Sequence, residues 1–319
     1  MRPRLVFVHG IGAPRDESKE LAAWTAALAM GAQRAGHSHF AAELLESGPV
    51  DSRFAYYGDL FQPPGAQGAT GKPSEEDAEV VIGLLSELVE EQLAAVSDEE
   101  SRLILIEAKE LLQPAGTPQG TGNLVRIANG AIATLLEWRP LRRAGQWATG
   151  KILIRELAQV SRYLSRGELD KGSTLDQRIR ARVRDSLGNG PVIVVAHSLG
   201  TVVSLEALHE FAGDAALFVT LGSPLGTPTV VRPRLVPQPP ATPESVRRWL
   251  NFWDRDDLIV ARPRLEDFFA ANAHGTTPAS DRIDSDGVWV HTATKYLDKA
   301  SVAGPVAEAL GRIGGAGRV

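Results

Sequence analysis

The segment Pro191–Gly200, PVIVVAHSLG, joins a run of apolar residues to a short turn. Its β-branched part predicts a buried strand, and apolar residues recur at helical spacing after the turn, up to Leu208. Ser198 stands between the two, with Ala196 and Gly200 two positions to either side. Small residues there permit a tight strand-to-helix turn, which strains the central residue and lifts its hydroxyl clear of the sheet. The segment therefore predicts a strand, a turn and a helix, with Ser198 as a candidate nucleophile.

Strand and helix patterns alternate on both sides of this segment. Upstream, the sequence RLVFVHG at 4–10 is typical of a buried strand, and apolar spacing predicts a helix over 18–35. Further strands are predicted for RFAYYGDLF, ALFVTLGSP, RRWLNFW and GVWVH, which begin at Arg53, Ala216, Arg247 and Gly287, and a helix is predicted at the C-terminus. This alternation favours an α/β fold with a mostly parallel, doubly wound sheet.

The alternation of strand and helix patterns stops after about the first seventy residues and resumes near Ser186. After the segment PPGAQGATGKP at 63–73, helical patterns prevail up to about Ser186. We therefore predict a core formed by residues 1–73 and 187–319, with a helical insertion at 74–186 as a candidate cap. Residues 74–100 of the insertion hold ten acidic residues and no Lys or Arg, whereas residues 126–166 hold eight Lys or Arg. The two halves are expected to pair.

A second interpretation of the basic half is contact with an anionic membrane surface. The positive side chains of this surface would be Arg139, Arg142, Arg143, Lys151 and Arg155. That interpretation predicts liposome binding that weakens as salt is added.

Composition limits the function further. The net charge of −5 argues against nucleic-acid binding, which needs clustered Lys and Arg. Because there is no Cys, disulfides and thiolate chemistry are excluded, and any nucleophile is an oxygen or a nitrogen. The N-terminal sequence MRPRLVFVHG has a short apolar run and no small-residue cleavage site, so we expect a cytoplasmic protein.

A Ser hydroxyl is a weak nucleophile near neutral pH and needs a His base oriented by an acid. Folds that use this turn order the three along the chain as Ser, acid, His. That order excludes the histidines that precede Ser198, which are His9, His37, His39 and His197. His209 is excluded as well, because it precedes any suitable acid. His291 is preferred because it follows the predicted strand that begins at Gly287. His274 is the alternative, although its surroundings, NAHGTTPASD, are typical of a polar loop.

Three candidate acids, Asp254, Asp256 and Asp257, follow the strand predicted for RRWLNFW. A carboxylate at that position reaches the C-terminal edge of the sheet. Asp257 is preferred because the apolar residues Leu-Ile-Val after it return the loop to the core. Asp254 and Asp256 stay open as alternatives, with turn formation or capping as their other roles.

Attack by Ser198 on a carbonyl also requires two donors for the developing oxyanion. The Gly residues of HGIG, directly after the first strand, permit a backbone N–H to point into the site, and that of Ile11 is the best candidate. The N–H of Leu199 is the second candidate, because it lies where the helix after Ser198 begins and the helix dipole favours negative charge.

Five motifs together resemble the α/β-hydrolase superfamily, and specifically its bacterial lipases and esterases. They are HGIG near the N-terminus, AHSLG, GSPLG, the D-x-x-D-L-I-V pattern and the late HTATKYL. The resemblance covers about the first seventy and the last 130 residues. It implies Ser198 as nucleophile, Asp257 as acid, His291 as base, and Ile11 and Leu199 as the oxyanion hole.

These inferences predict a serine hydrolase that cleaves a carboxylic ester of a small molecule through an acyl-enzyme on Ser198, without metal or cofactor. A thioesterase, an amidase and an acyltransferase would use the same residues. A non-catalytic α/β-hydrolase scaffold that binds a ligand or partner is a further alternative, because fold alone does not fix function.

Overall fold

The structure is a computed structural model that describes residues 2–11, 16–46, 50–61, 75–113, 121–139, 150–167, 169–170, 172–257, 259–285 and 290–316. Its strands in chain order are β1 (Arg4–Val8), β2 (Asp51–Ala55), β3 (Leu169–Asp170), β4 (Ser173–Thr174), β5 (Val192–His197), β6 (Ala215–Leu221), β7 (Trp249–Asp254) and β8 (Pro278–Ile283). Six of them form one sheet in the order β2-β1-β5-β6-β7-β8, in which each neighbouring pair is parallel. Strands β3 and β4 form a separate short hairpin.

Ten α-helices lie in the described residues. They are α1 (Glu17–Arg34), α2 (Ser38–Leu45), α3 (Glu75–Ala95), α4 (Glu99–Leu112), α5 (Thr121–Leu135), α6 (Gly150–Ser165), α7 (Leu175–Leu187), α8 (Leu199–His209), α9 (Ala293–Leu297) and α10 (Ala300–Ala316). Helices α1, α2, α9 and α10 share one apolar core with the sheet, and α7 and α8 share the other. The predicted α/β fold with a parallel, doubly wound sheet is confirmed.

The central strands are apolar on both sides because both sheet faces are covered. In β1, Val6 and Val8 pack with α7 and α8, whereas Leu5 and Phe7 pack with α1. Strand β5 alternates in the same way and is buried along its whole length. Continuous apolar runs are therefore what a parallel sheet of this kind requires.

The last strand differs from the prediction. Residues 287–289 of the predicted strand GVWVH lie outside the described residues, and Val290 and His291 form a turn that leads into α9. The sixth strand of the sheet is β8, in a segment that we interpreted as a polar loop around His274. Its sequence, PASDRI, is mostly polar because β8 is an edge strand and exposes part of its length.

Helices α3 to α6 form the helical insertion around an apolar core of their own, which includes Leu85, Val89, Leu105 and Ile132. By contrast, Ile179 and Val183 of α7 pack in the core of the sheet. The predicted insertion at 74–186 thus includes one helix, α7, that packs against the sheet, and the division of the chain at 186 stays a prediction. In the described residues, no helix has the length and apolar character needed to cross a membrane.

A buried charge cluster joins the end of α6 to the core. Arg166 contacts Asp176 at 2.9 Å and Glu206 at 2.6 Å, and the Tyr163 hydroxyl donates to Glu206 at 2.6 Å. Burial acts to raise the pKa of Asp176, but hydrogen bonds from Thr174, Arg180 and Arg166 outweigh it and lower that pKa. Because Glu206 lies on α8, the cluster fixes the insertion to the helix that follows Ser198.

Candidate active site

The carboxyl ends of the central strands meet at one edge of the sheet, where open α/β folds bind ligands. Gly10 follows β1, Ser198 follows β5, Gly222 follows β6, and Asp257 lies just beyond β7. His291 also reaches this edge, through its contact with Asp257. The fold therefore brings together segments as far apart in the chain as Gly10 and His291, which are separated by about 280 residues.

Ser198 has φ 54° and ψ −131°, a left-handed conformation that is costly for a residue other than glycine. Its N–H donates to Leu221 O at 3.0 Å, and the Thr201 hydroxyl donates to its carbonyl at 2.7 Å. The residue is 2% exposed. A Cβ at Gly200 would overlap the backbone of His9, so the turn needs a glycine there. The strained, tightly supported turn is the geometry predicted for AHSLG.

The segment after β1 lies directly against Ser198. A Cβ on Gly10 would be 2.6 Å from the Cβ of Ser198, so only glycine fits. Ile11 is buried and lines the cavity beside Ser198, and Gly12 lies outside the described residues. Leu199 is the first residue of α8, so its N–H lies at the N-terminus of that helix. Both backbone positions predicted to stabilise an oxyanion thus flank Ser198.

Asp257 and His291 form a buried pair. Nδ1 of His291 contacts Oδ2 of Asp257 at 2.8 Å, and the N–H of Ile259 donates to Oδ1 at 3.1 Å. The residues are 2% and 4% exposed. When Nδ1 carries the proton that it donates to a carboxylate, Nε2 is the basic nitrogen of the ring. The pair therefore has the arrangement of an acid that orients a base.

Gly222 explains how this pair fits beside β6. It has φ +52°, and a Cβ there would lie 2.6 Å from Oδ2 of Asp257 and 3.1 Å from Nδ1 of His291. Its N–H donates to Phe252 O at 3.1 Å. The first glycine of GSPLG is thus required both for its backbone conformation and for the space that the pair occupies.

The other two candidate acids have different surroundings. Asp254 is buried, and its Oδ2 accepts from both the N–H and the hydroxyl of Ser285, at 2.5 and 2.6 Å. Its Oδ1 accepts from the N–H of Asp256 at 2.9 Å. Asp256 itself is exposed on the turn. Asp254 therefore stabilises the loops that carry Asp257, and of the three acids only Asp257 contacts His291 among the described residues.

The remaining histidines lie in other environments. His9 is buried, its ring stacks on Tyr57, and its Nε2 accepts from the Tyr57 N–H at 3.1 Å. His197 packs against His291, with ring centroids 4.5 Å apart. Burial lowers the pKa of His209, whose Nε2 contacts Ala241 O. The alternative base, His274, contacts Arg247 in a polar turn, away from Asp257.

Tyr296 is a site residue that the sequence analysis did not single out. Its hydroxyl donates to Oδ2 of Asp257 at 2.6 Å and accepts from the N–H of Asp254 at 3.2 Å. Burial, and then the negative charge of Asp257, raise the pKa of this phenol well above its ordinary value. The only available signal was its place in HTATKYL, five residues after His291. Tyr296 therefore acts as a fixed donor that holds the acid in place.

A mainly apolar cavity opens beside Ser198, with a volume of about 670 Å³ including its mouth. Its wall on the core side includes Ile11, Leu199 and Ile259. Its other wall comes from the insertion, through Leu84, Leu85 and Leu88 of α3 and Leu157 and Val160 of α6. Glu87, also on α3, is an acidic residue of this wall. The insertion thus covers Ser198.

Little of the predicted basic surface can be examined in the structure. Arg142 and Arg143 lie outside the described residues, as do the side chains of Lys151 and Arg155. Arg139 is exposed and contacts Glu100 at 3.6 Å, which is one pairing between the basic and acidic halves of the insertion. Membrane-surface binding therefore stays a prediction.

Comparison with known proteins agrees with this geometry. A family model described as the alpha/beta hydrolase family matches residues 163–315, a range that contains Ser198, Asp257 and His291. The match supports membership of the α/β-hydrolase superfamily. Neither the curated proteins nor the solved structures that were compared give a match to this chain. The family match begins at residue 163, after most of the insertion, so it says nothing about the cavity wall that α3 forms.

Proposed function

We propose that this α/β-hydrolase is a serine esterase that cleaves a carboxylic ester with an apolar acyl or alcohol part. The observation that carries the proposal is the pairing of Asp257 with His291 at the sheet edge where Ser198 has its strained conformation. Superfamily membership supports a hydrolase, and the apolar cavity supports an apolar substrate.

In the proposed reaction, Nε2 of His291 accepts the Ser198 proton while the Ser198 oxygen attacks the ester carbonyl. The C–O bond to the alcohol then breaks, and His291 returns the proton to the departing alcohol. A water molecule, deprotonated by His291, attacks the acyl-enzyme and releases the acid. Asp257 fixes the tautomer of His291 throughout and stabilises the imidazolium that forms.

The oxyanion of each tetrahedral intermediate is proposed to bind the backbone N–H groups of Ile11 and Leu199. Support comes from the close contact between Gly10 and Ser198 and from the position of Leu199 at the start of α8. The N-terminal end of a helix also favours a developing negative charge.

Hydrolysis of p-nitrophenyl esters of graded chain length by the wild type and by Ser198→Ala tests this proposal. We expect activity that depends on chain length, because the substrate chain has to fit the cavity under α3 and α6, and we expect its loss in Ser198→Ala. Equal activity of the two proteins would exclude Ser198 as nucleophile. Matched thioesters and amides in the same assay separate the esterase from the alternative thioesterase and amidase activities, and an added alcohol acceptor tests for acyl transfer.

A further inference from the structure

Glu87 is a carboxylic acid in a wall that is otherwise mainly apolar. It lies on the inner side of α3, between Leu84 and Leu88, and lines the same cavity as Ser198. The residue is 9% exposed, whereas Glu79 and Glu90 on the same helix are exposed to solvent. A buried carboxyl group is costly unless its oxygens have partners.

The two oxygens of Glu87 have different environments. Oε1 accepts from the N–H of Thr229 at 2.6 Å and from the Thr229 hydroxyl. Oε2 is buried and makes no hydrogen bond of ordinary geometry with the described residues, although the Val230 N–H also acts on the carboxylate and lowers its pKa. Thr229 thus fixes the side chain through Oε1 and leaves Oε2 unsatisfied.

Within the part of the chain that the structure describes, no charged group contacts the Glu87 carboxylate directly. Arg262 is exposed and acts on Glu87 only as a nearby positive charge, and the negative charge of Glu90 opposes it. Glu90 itself pairs with Lys109 at 3.2 Å. Burial raises the pKa of Glu87 and outweighs the backbone hydrogen bonds from Thr229 and Val230, which act to lower it.

We propose that Glu87 determines substrate specificity by accepting, through Oε2, a hydrogen bond from a hydroxyl group on the otherwise apolar chain of the ester. This inference rests on the proposed esterase function. A hydroxyl fits better than an ammonium group, because Arg262 already provides a positive charge nearby and because an apolar cavity disfavours a second full charge. A chain without a hydroxyl leaves Oε2 without a partner.

A site that binds a hydroxyl discriminates strongly against the analogue that lacks it. One hydrogen bond to a charged or partly charged acceptor corresponds to a preference of about tenfold or more in kcat/KM. This preference arises from binding of the substrate's apolar part, because the reaction at Ser198 is the same for the hydroxylated and the non-hydroxylated ester.

The test compares p-nitrophenyl esters of an aliphatic acid and of its ω-hydroxylated counterpart over a range of chain lengths. A second pair of substrates, an alkyl and an ω-hydroxyalkyl ester of one short acid, places the hydroxyl on the alcohol side. The variants are Glu87→Leu and Glu87→Gln, with Glu79→Gln as the exposed control on the same helix. Thr229→Val removes the hydroxyl that anchors Oε1 and leaves Oε2 unchanged.

We expect the wild type and Glu79→Gln to prefer one hydroxylated ester by about tenfold in kcat/KM, Glu87→Leu to lose that preference, and Thr229→Val to keep most of it. Glu87→Gln should reduce the preference less than Glu87→Leu, because its amide can donate to the hydroxyl. Equal loss of activity toward both esters in Glu87→Leu would show a structural role and overturn the proposal. So would the absence of a hydroxyl preference in the wild type.

A binding measurement separates this inference from the esterase proposal. Calorimetry on Ser198→Ala, with an alkyl ketone and its ω-hydroxylated analogue, needs no turnover. Tighter binding of the hydroxylated ketone that is lost in Ser198→Ala/Glu87→Leu supports the specificity role even if no ester is hydrolysed. Equal binding of the two ketones overturns it even if Ser198 proves to be the nucleophile.

Discussion

The hydroxyl of Tyr296 donates a 2.6 Å hydrogen bond to Oδ2 of Asp257, the oxygen that also contacts Nδ1 of His291. A single carboxylate oxygen thus binds two side chains, one from the loop before α9 and one from α9 itself. The second oxygen is held by the Ile259 N–H. These three contacts hold the carboxylate in place beside the imidazole.

Tyr296→Phe removes one of these donors without changing the shape of the core. We expect kcat to fall by about tenfold with little change in KM, because the variant loses one hydrogen bond to the carboxylate and no contact with substrate. Steady-state kinetics on the preferred p-nitrophenyl ester measures this. An unchanged kcat would show that the Ile259 N–H alone suffices to position Asp257.

Comparison of Asp257→Asn with Asp254→Asn distinguishes the role of the acid that contacts His291 from that of the buried acid next to it. An amide at position 257 cannot hold His291 in the required tautomer, so kcat should fall by about 10³–10⁴. Asp254→Asn loses acceptor strength toward Ser285, so it should mainly lower the melting temperature. Asp256→Asn, on the exposed turn, is the control with wild-type kinetics. A larger loss of kcat in Asp254→Asn than in Asp257→Asn would reassign the acid.

Gly222→Ala tests the space in which the Asp257–His291 pair sits. The added methyl group would collide with Oδ2 of Asp257 and has to displace the pair, so we expect about a hundredfold loss of kcat/KM. Gly275→Ala is the matched control, because Gly275 also has positive φ but no neighbour within 4 Å of an added Cβ. If the two variants had similar kinetics, Gly222 would be needed only for its positive φ and not for the space that Asp257 and His291 occupy.

Glu87→Gln is expected to change how stability depends on pH. Because burial raises the folded-state pKa of Glu87 above 4.5, the folded protein binds more protons than the unfolded chain in the window above that value. The contribution of Glu87 to the free energy of unfolding therefore falls as the pH rises through that window. Gln does not titrate, so the stability of the variant relative to the wild type should increase from about pH 4 to about pH 7.

Urea denaturation of both proteins at the two pH values measures that difference. Glu79→Gln removes the same charge at an exposed position of α3 and is the matched control. If the difference between Glu87→Gln and the wild type were the same at both pH values, the pKa of Glu87 would be the same in the folded and the unfolded protein, which would contradict a pKa raised by burial.

The centre of the fold could be predicted because its signals are local. A β-branched run, a small-residue turn and a helical repeat are adjacent in 191–208, and burial on both sheet faces requires such a run. Strand β8 could not be predicted in this way, because an edge strand exposes part of its surface and its residues look like a loop. The strand predicted at 287–291 relied on apolar residues that precede the turn at His291.

The site residues also differ in how far the sequence could predict them. Ser198, Asp257 and His291 were predicted because chain order and strand ends restrict the candidates, and the structure brings Asp257 and His291 into contact. Tyr296 and Glu87 could not be distinguished from other residues of their helices. Glu87 is one of ten acidic residues in 74–100, and only the packing of α3 over the cavity separates it from the others.

The central claim is that Ser198 is an activated nucleophile, and covalent labelling tests it most directly. The wild type, treated with a fluorophosphonate probe and digested, should show the probe mass on the peptide that contains Ser198, while Ser198→Ala should remain unlabelled. His291→Ala should label much more slowly, because the base is absent. Unchanged labelling of Ser198→Ala, or labelling of the wild type at another residue, would contradict the account.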